Sequence, residues 1–220
     1  MRKVVAAVFV SLDGVMQAPG GPEEDPTGGF KHGGWTVNYW DDAMGQAMGK
    51  TFGEPYDLLL GRKTYEIFAA HWPYMEGDPI GEQFGAVTKY VVTSSTQPLS
   101  WKNSVALRGN PATEIARLKQ GDGPKLLIQG SSQLIQALLA ADLIDEFSLV
   151  MFPLVLGSGK RLFGAGAKLT GLKLVNSSVS STGVTMSNYE RSAPVVVGSF
   201  ARNQPSAAEI ARQERMRREG

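Results

Sequence analysis

The chain has no cysteine and only two histidines, His32 and His71, among its 220 residues. Without cysteine it can form no disulfide, no thiolate nucleophile and no cysteine-ligated metal centre. Two histidines are also too few for a histidine-rich metal site. We therefore predict that the chain has no metal site.

Net charge and long apolar runs are scarce as well. The 22 Lys and Arg residues are balanced by 21 Asp and Glu residues, and a net charge of +1 gives no general attraction to nucleic acid or to anionic membranes. No stretch approaches the length of a transmembrane helix. The start, MRKVVAAVFVSLDG, resembles a signal peptide, but its apolar run is short and reaches Asp13 at once. We expect a cytoplasmic protein without nucleic-acid or membrane partners.

The chain does contain alternating strand and helix patterns, and its hydrophobic content of 42% suits one well-buried α/β domain. The run Val4–Leu12 is apolar on both faces, which predicts a central strand. The ranges Lys173–Ser181 and Gly183–Arg191 alternate in polarity and predict an antiparallel hairpin that closes the sheet. Residues 192–220 are predicted as a C-terminal extension, partly helical or flexible, which either touches an acidic partner or is solvated.

The rest of the chain is organised around the stretch Lys125–Phe163, in which a short apolar strand is followed by a small-residue turn and a helical pattern. The turn residues are Gln129, Gly130, Ser131 and Ser132. A strand, a glycine turn and a helix start leave free backbone N–H groups at a sheet edge, which is the geometry that holds phosphates. An ordinary βαβ unit without a ligand has the same pattern, so both interpretations remain open.

The same pattern occurs earlier, where the strand Tyr56–Leu60 ends in Gly61, Arg62, Lys63 and Thr64. Two cations in the first turn of a helix oppose the helix dipole. They are therefore either ligands of an anion or solvated surface residues, and we favour the anion.

A loop rich in glycine and proline, residues 15–35, lies between the first strand and the first helical pattern. Such a loop is either a lid or binding loop, or only a mobile surface loop. Asp41 and Asp42 then precede the helical pattern. An acid in this place is either a helix N-cap or a carboxylate that faces the substrate.

A third turn of this kind follows the strand that ends at Thr93, where the chain continues with Ser94 and Ser95. Together with the turns at Gly61 and Gln129, three strand ends therefore carry residues of the types that bind ligands. Together with SLDG at the first strand end and the later PLVLGSGKRLF, in this order, these turns resemble the dihydrofolate reductase superfamily. Within this superfamily, the chain most resembles the branch that includes the reductase domain of bacterial riboflavin biosynthesis, which is the C-terminal part of a bifunctional deaminase-reductase. The resemblance covers roughly residues 1–190, so we assign residues 1–191 to the domain.

The resemblance implies a three-layer α/β fold with a mixed, mostly parallel central sheet, a C-terminal antiparallel hairpin, bound NADPH and commonly a homodimer. It implies a reductase that transfers a hydride to a small heterocycle, such as a pterin or a pyrimidine. The alternative is a non-catalytic nucleotide- or pterin-binding module that keeps the fold without turnover. We also predict that the edge Lys173–Arg191 pairs two subunits, because a long open edge strand invites association.

The resemblance also assigns residues to the cofactor: backbone near the nicotinamide, the pyrophosphate and ribose phosphate, and the adenosine end. These residues are Val10, Met16, Gly61, Arg62, Lys63, Thr64, Thr93, Ser94, Ser95, Gln129, Gly130, Ser131 and Ser132. Arg62 favours NADPH over NADH, because a guanidinium can bind the extra ribose phosphate through two charge-assisted hydrogen bonds.

The predicted catalytic residues are Asp13 and Asp42, since reduction of a C=N bond needs a proton as well as a hydride. We prefer Asp13, which ends the first strand, while Asp42 either serves the substrate or only caps its helix. The chain departs from folate reductases, which usually carry Pro-Trp after the first loop and an acid inside the following helix. This departure leaves the substrate open.

Overall fold

The computed structural model describes residues 1–165, 167–200 and 204–219. Its strands are β1 (Val4–Ser11), β2 (Tyr56–Gly61), β3 (Lys89–Val92), β4 (Ser104–Leu107), β5 (Lys125–Ile128), β6 (Glu146–Phe152), β7 (Leu172–Val179) and β8 (Thr185–Arg191). The α-helices of the described part are α1 (Asp42–Gly53), α2 (Arg62–His71), α3 (Pro79–Ala86), α4 (Pro111–Gln120), α5 (Ser132–Ala140) and α6 (Ala207–Glu219).

The eight strands form one sheet in the order β4-β3-β2-β5-β1-β6-β8-β7. β1 is parallel to both of its neighbours, and β2 is parallel to β3 and β5. β8 is antiparallel to β6 and to β7, so the last two strands are the predicted antiparallel hairpin. The prediction of a mixed, mostly parallel sheet with a C-terminal hairpin is confirmed.

Side chains of β1 alternate between two apolar layers, as expected for a strand with period two. Val4, Ala6 and Val8 face a cluster that includes Ile135 of α5, whereas Val5 and Ala7 face a cluster with residues of α2 and α3. Because helices cover both faces, β1 is buried almost throughout, which explains why its sequence is apolar on both faces.

The parallel strands β1, β2, β3 and β5 end at the same edge of the sheet. The residues that follow them therefore lie along one edge, which is where open α/β sheets bind ligands. Two ion pairs lie at the opposite edge, one between the buried Arg2 and Asp57 and one between the buried Lys119 and the half-buried Asp145. The fold thus leaves the carboxyl edge as the place for a site.

The hairpin turn is longer than the sequence pattern suggests. β7 ends at Val179 and β8 begins at Thr185, because the Ser180 hydroxyl accepts hydrogen bonds from the N–H groups of Thr182 and Val184.

Within the described residues, no helix is long and apolar enough to cross a membrane. Of the predicted extension 192–220, positions 201–203 and 220 lie outside the described residues.

Candidate functional site

Two helices, α2 and α5, begin side by side at the carboxyl ends of the paired strands β2 and β5. One side chain joins the two turns. The Ser131 hydroxyl accepts a hydrogen bond from the N–H of Gly61 over 2.8 Å and donates to the Thr64 hydroxyl over 2.7 Å. The sequence placed Gly61, Thr64 and Ser131 at separate turns, and the fold brings them into contact.

Glycine is required at two positions of this junction, 61 and 130, for different physical reasons. Gly130 has a φ of 116°, a conformation that other residues rarely adopt. Gly61 has an ordinary extended conformation, with a φ of −78°. A Cβ at Gly61 would however lie 2.7 Å from the Ser131 Oγ. Glycine at position 61 therefore permits the close approach of the two turns.

Neither helix start is capped by a side chain. The N-cap residues are Gly61 for α2 and Ser131 for α5, and neither makes a side-chain cap hydrogen bond. The first-turn N–H groups of both helices therefore have no N-cap side chain as a hydrogen-bond partner, and they lie at two positive helix ends. Ser132 is the buried first residue of α5, and Gln129 is half-buried at the end of β5.

Cations lie beside this junction. The Arg62 Nε donates to Glu66 over 2.6 Å, and an Arg62 Nη atom donates to the Gln97 carbonyl over 3.0 Å. Lys63 is exposed. The charge of Arg62 is therefore partly neutralised by Glu66, one turn further along α2, which the sequence interpretation did not consider.

Arg108 is a cation at this edge that sequence reasoning missed. It follows β4 directly and donates to the Ser95 carbonyl. The Thr93 hydroxyl accepts from the Ser95 N–H over 3.0 Å and so shapes the turn after β3, whereas Ser94 is exposed. The signal that could have identified Arg108 is its place directly after a strand, since parallel strands end at one edge.

At the end of β1, Val10 and Met16 are buried. The Met16 N–H donates to the Lys160 carbonyl over 2.9 Å, and the Lys160 N–H donates to the Gln17 side chain over 2.9 Å. The segment around Lys160 therefore lies directly against the first loop. A cavity of about 270 Å³ between them is lined by Gln17, Thr27, Gly28, Phe30, Ser158, Gly159 and Lys160.

A model of the RibD C-terminal domain family matches residues 2–186. The chain belongs to the RibD C-terminal domain family. It is 28% identical over 193 residues to the uncharacterized protein YyaP of Bacillus subtilis, covering 86% of this chain and 94% of the relative.

Solved structures of low sequence identity share the fold of this chain. A protein from Shewanella sp. PV-4 that is named for riboflavin biosynthesis aligns with a TM-score of 0.59 at 22% identity, over 87% of this chain and 99% of that one. A dihydrofolate reductase from Enterococcus faecalis, complexed with NADP(H), aligns with a TM-score of 0.55 at 16% identity, over 87% and 97%. These likenesses show the dihydrofolate reductase-like fold and confirm the resemblance that the sequence suggested.

Within this RibD C-terminal domain, the Asp13 carboxylate is held by several hydrogen bonds. Its carboxylate accepts hydrogen bonds from the Ser11 hydroxyl over 2.6 Å and from the N–H groups of Leu156 and Gly157 over 3.0 and 2.9 Å. The Ser11 hydroxyl first, then these N–H groups, lower the pKa of Asp13 from 3.8 to about 2. These hydrogen bonds tie Asp13 to the segment at Leu156 and Gly157, and its catalytic role stays a prediction.

The N-cap of α1 is Asp41, not Asp42. The Asp41 carboxylate accepts from the Met44 N–H over 3.0 Å and from the hydroxyl and N–H of Ser181 in the β7–β8 turn. Hydrogen bonds from Ser181 hold the pKa of Asp41 below its usual value. Asp42 is the exposed first residue of the helix. The possibility that Asp42 serves as the cap is therefore corrected, and its substrate role stays a prediction.

Glu24, in the first loop, is an acid that the sequence interpretation missed. Burial raises the pKa of Glu24, the opposite of the change at Asp13. Its carboxylate accepts from the Gly20 N–H over 2.6 Å. The loop around it is closely packed, because a Cβ at Gly33 would lie 2.3 Å from the Gly21 carbonyl oxygen.

Aromatic side chains lie between the end of β1 and the start of α1. Phe9 contacts Phe152 and Trp40 edge to face, with ring centroids 5.7 Å and 6.4 Å apart. Trp40 is 49% exposed. The candidate site thus has a polar, cationic part at β2–β5 and an aromatic part at β1.

Proposed function

We propose that the chain is an NADPH-dependent reductase of a small heterocycle, such as a pyrimidine or a pterin. The family and the fold support a reductase, and the site supports the cofactor. The observation that carries the proposal is the junction in which Ser131 joins the starts of α2 and α5 and leaves their first N–H groups without side-chain caps. Such paired helix starts suit the two phosphates of a dinucleotide.

The residues of the site fit this cofactor. The backbone of Lys63, Thr64 and Ser132 would hold the pyrophosphate, and Arg62 and Arg108 would hold the ribose phosphate beside Ser94. The backbone near Val10 and Met16 would position the nicotinamide. When bound, NADPH supplies the hydride, and the protein contributes orientation and exclusion of water.

The aromatic part suits a flat ring. Trp40, which is about half exposed, and the neighbouring Phe9 offer an aromatic surface against which a heterocycle could stack. Reduction also needs a proton at the ring. Asp42 at the start of α1 and Glu24 in the first loop are the proposed proton donors, and Asp13 holds the loop in place.

A titration of NADPH into the purified protein tests the cofactor proposal, with NADH as the second titrant. A panel of reducible pyrimidines and pterins, followed by the loss of NADPH absorbance, then tests the reaction. Arg108→Ala is the informative variant, and Arg117→Ala, an exposed α4 arginine paired with Glu114, is its matched control. Absence of NADPH binding by the wild-type protein would refute the proposal.

The second candidate function is a nucleotide- or pterin-binding module without turnover. It is favoured by the environment of Asp13, the preferred catalytic residue, because hydrogen bonds from Ser11, Leu156 and Gly157 already engage its carboxylate. NADPH binding without oxidation by any member of the panel would support this candidate against the reductase.

A further inference from the structure

Trp40, in the aromatic part of the site, lies between two residues that are held by one distant turn. The carbonyl of Tyr39, which precedes it, accepts a hydrogen bond from the Thr182 hydroxyl over 2.7 Å. The carboxylate of Asp41, which follows it, accepts from the Ser181 N–H over 2.9 Å and from the Ser181 hydroxyl over 2.7 Å. The chain is therefore fixed to the turn between β7 and β8 on both sides of Trp40.

The β7–β8 turn, residues 180–184, is a firm support for this connection. The hydroxyl of the buried Ser180 accepts from the N–H groups of Thr182 and Val184 over 3.3 and 3.1 Å, and the Ser180 N–H donates to the Val184 carbonyl over 2.9 Å. Val184 is fully buried in the apolar cluster that contains Phe152. The turn is thus anchored in the core beside the aromatic part of the site.

The Trp40 ring itself has a less enclosed environment. It is 49% exposed, and its ring contact within the described residues is with Phe9, at a centroid distance of 6.4 Å. The preceding Tyr39 packs edge to face on Phe152 at 5.8 Å. Because the direction of a side chain follows from its backbone and rotamer, the direction of the Trp40 ring depends on the residues that flank it. Those residues are the ones that the turn holds.

The two carboxylate oxygens of Asp41 have separate partners. Oδ1 accepts from the Met44 N–H over 3.0 Å and caps α1, whereas Oδ2 accepts from the hydroxyl and N–H of Ser181. A helix cap needs only one side-chain oxygen, which Asn, Ser or Thr supplies as well. A carboxylate offers two acceptor oxygens. The second oxygen of Asp41 therefore serves the connection to the turn.

The turn lies at the same edge of the sheet as the candidate site but away from the cofactor junction. β8 begins beside the end of β6, since Thr185 pairs with Met151. The strands β1 and β6 separate β8 from β5, which leads into the junction. A change in the turn should therefore affect the aromatic part of the site and not the starts of α2 and α5.

We propose that the β7–β8 turn positions the substrate ring, because Asp41 and Thr182 hold Trp40 in the orientation in which it stacks against a flat heterocycle. This inference rests on the proposed function. Asp41, Ser181 and Thr182 are positioning residues, since they act through Trp40 and not on the reacting atoms.

Two substitutions release the two connections separately. Asp41→Asn keeps an oxygen for the Met44 N–H, so α1 stays capped, but it replaces the second acceptor that Ser181 needs. Thr182→Val removes the hydroxyl, and Thr182→Ser is the conservative variant that keeps it. Asp78→Asn is the matched control for the acid, because the Asp78 carboxylate caps α3 by accepting from two N–H groups of that helix.

Fluorine NMR of protein labelled with 5-fluorotryptophan measures the position of Trp40 without substrate. The chain has four tryptophans, and the resonance that is absent from Trp40→Phe belongs to Trp40. Asp41→Asn and Thr182→Val should shift or broaden this resonance, whereas Asp78→Asn and Thr182→Ser should leave it unchanged. Circular dichroism shows that each variant is folded. A Trp40 resonance that neither Asp41→Asn nor Thr182→Val changes would overturn the inference.

Steady-state kinetics with a substrate from the panel measure the consequence for binding. Asp41→Asn should raise the KM for the heterocycle by roughly 5- to 100-fold, because stacking on an aromatic ring is lost. Its kcat and its affinity for NADPH should be nearly unchanged. In a Trp40→Ala background, Asp41→Asn should have no further effect on this KM, since Asp41 acts through Trp40. A further rise of the same size in that background would overturn the inference, and so would an equal loss of NADPH affinity.

The two measurements separate this inference from the proposed function. A protein that oxidises NADPH with no member of the panel refutes the reductase, and the Trp40 resonance then decides whether the turn positions Trp40. An active reductase in which Trp40→Ala leaves the KM for the heterocycle unchanged refutes the inference and leaves the proposed function standing.

Discussion

Replacement of Gly61 by alanine tests the close junction between α2 and α5. Alanine can adopt the extended conformation of Gly61, which has a φ of −78°, so the backbone conformation does not disfavour the substitution. The added Cβ would lie 2.7 Å from the Ser131 Oγ and 3.1 Å from the Ser131 Cβ. Because the first distance is shorter than real contacts of this kind, either the Ser131 side chain or the whole turn must move.

Both ways of relieving the contact have similar costs. If the Ser131 side chain rotates away, its hydrogen bonds to Gly61 and Thr64 are lost, at about 0.5–1.5 kcal/mol each. If the turn moves instead, overpacking costs about 1–3 kcal/mol. Alanine returns about 0.4–1 kcal/mol by restricting the unfolded chain. The free energy of unfolding should therefore fall by about 1–2 kcal/mol, which lowers Tm by roughly 2–8 °C.

Thermal melting and NADPH titration of Gly61→Ala measure the two consequences. We expect the lower Tm and an NADPH affinity reduced by roughly 10-fold, because the displaced helix starts no longer meet the phosphates together. Gly49→Ala is the control. Gly49 lies inside α1 with nothing near a built Cβ, so alanine should stabilise the protein by about 0.5–1 kcal/mol.

The double variant Gly61→Ala/Ser131→Gly isolates the contact. With the Ser131 side chain removed, the added Cβ has room, so alanine at position 61 should no longer destabilise the protein relative to Ser131→Gly alone. A loss that persists in the Ser131→Gly background would refute the steric reasoning. An unchanged Tm and NADPH affinity for Gly61→Ala would refute it as well.

Three further predictions concern charges. Arg108→Ala should reduce the affinity for NADPH by roughly 10- to 100-fold and leave the affinity for NADH nearly unchanged. Arg62→Ala should have a smaller effect, because Glu66 pairs with Arg62. Paired titrations check this, and equal loss of affinity for both cofactors would contradict it. Asp13→Asn should reduce turnover and leave NADPH affinity nearly intact. Because the pKa of Asp13 is lowered from 3.8 to about 2 in the fold, part of the wild-type stability is lost as pH falls from 3.8 towards 2, and the variant should lack this part. Parallel acid melts check this, and the same loss of stability in both proteins would contradict it. Burial lowers the pKa of Lys89 from 10.5 to about 8, so between these pH values the unfolded chain binds more protons than the folded one. The stability of the wild type relative to Lys89→Met should therefore rise with pH in this range. A difference in Tm between the two proteins that does not change with pH would be the contrary result.

Much of the fold could be predicted because its signals are local. The apolar run of β1, the alternation of the hairpin strands and the glycines after β2 and β5 each determine an element within a few residues. Asn110 before Pro111 is likewise a local N-cap pattern for α4, and the Asn110 side chain accepts from the Thr113 N–H over 3.2 Å. The order of the strand-end turns was enough to suggest the family.

The roles of the acids could not be predicted in this way, because a pKa depends on what the fold brings to the carboxylate. Asp13 is held by the N–H groups of Leu156 and Gly157, which are more than 140 residues away in the chain. Glu24 has the opposite pKa change because of burial. No local pattern distinguishes these two environments.

The sequence by itself therefore determined most of the elements, because propensity and periodicity act over short distances. The resemblance carried by the strand-end turns added the mixed sheet and suggested the cofactor class. Only the tertiary structure decided that Ser131 meets Gly61 and that Arg108 stands beside Ser95. These contacts join residues far apart in the chain, and packing of the whole sheet selects them.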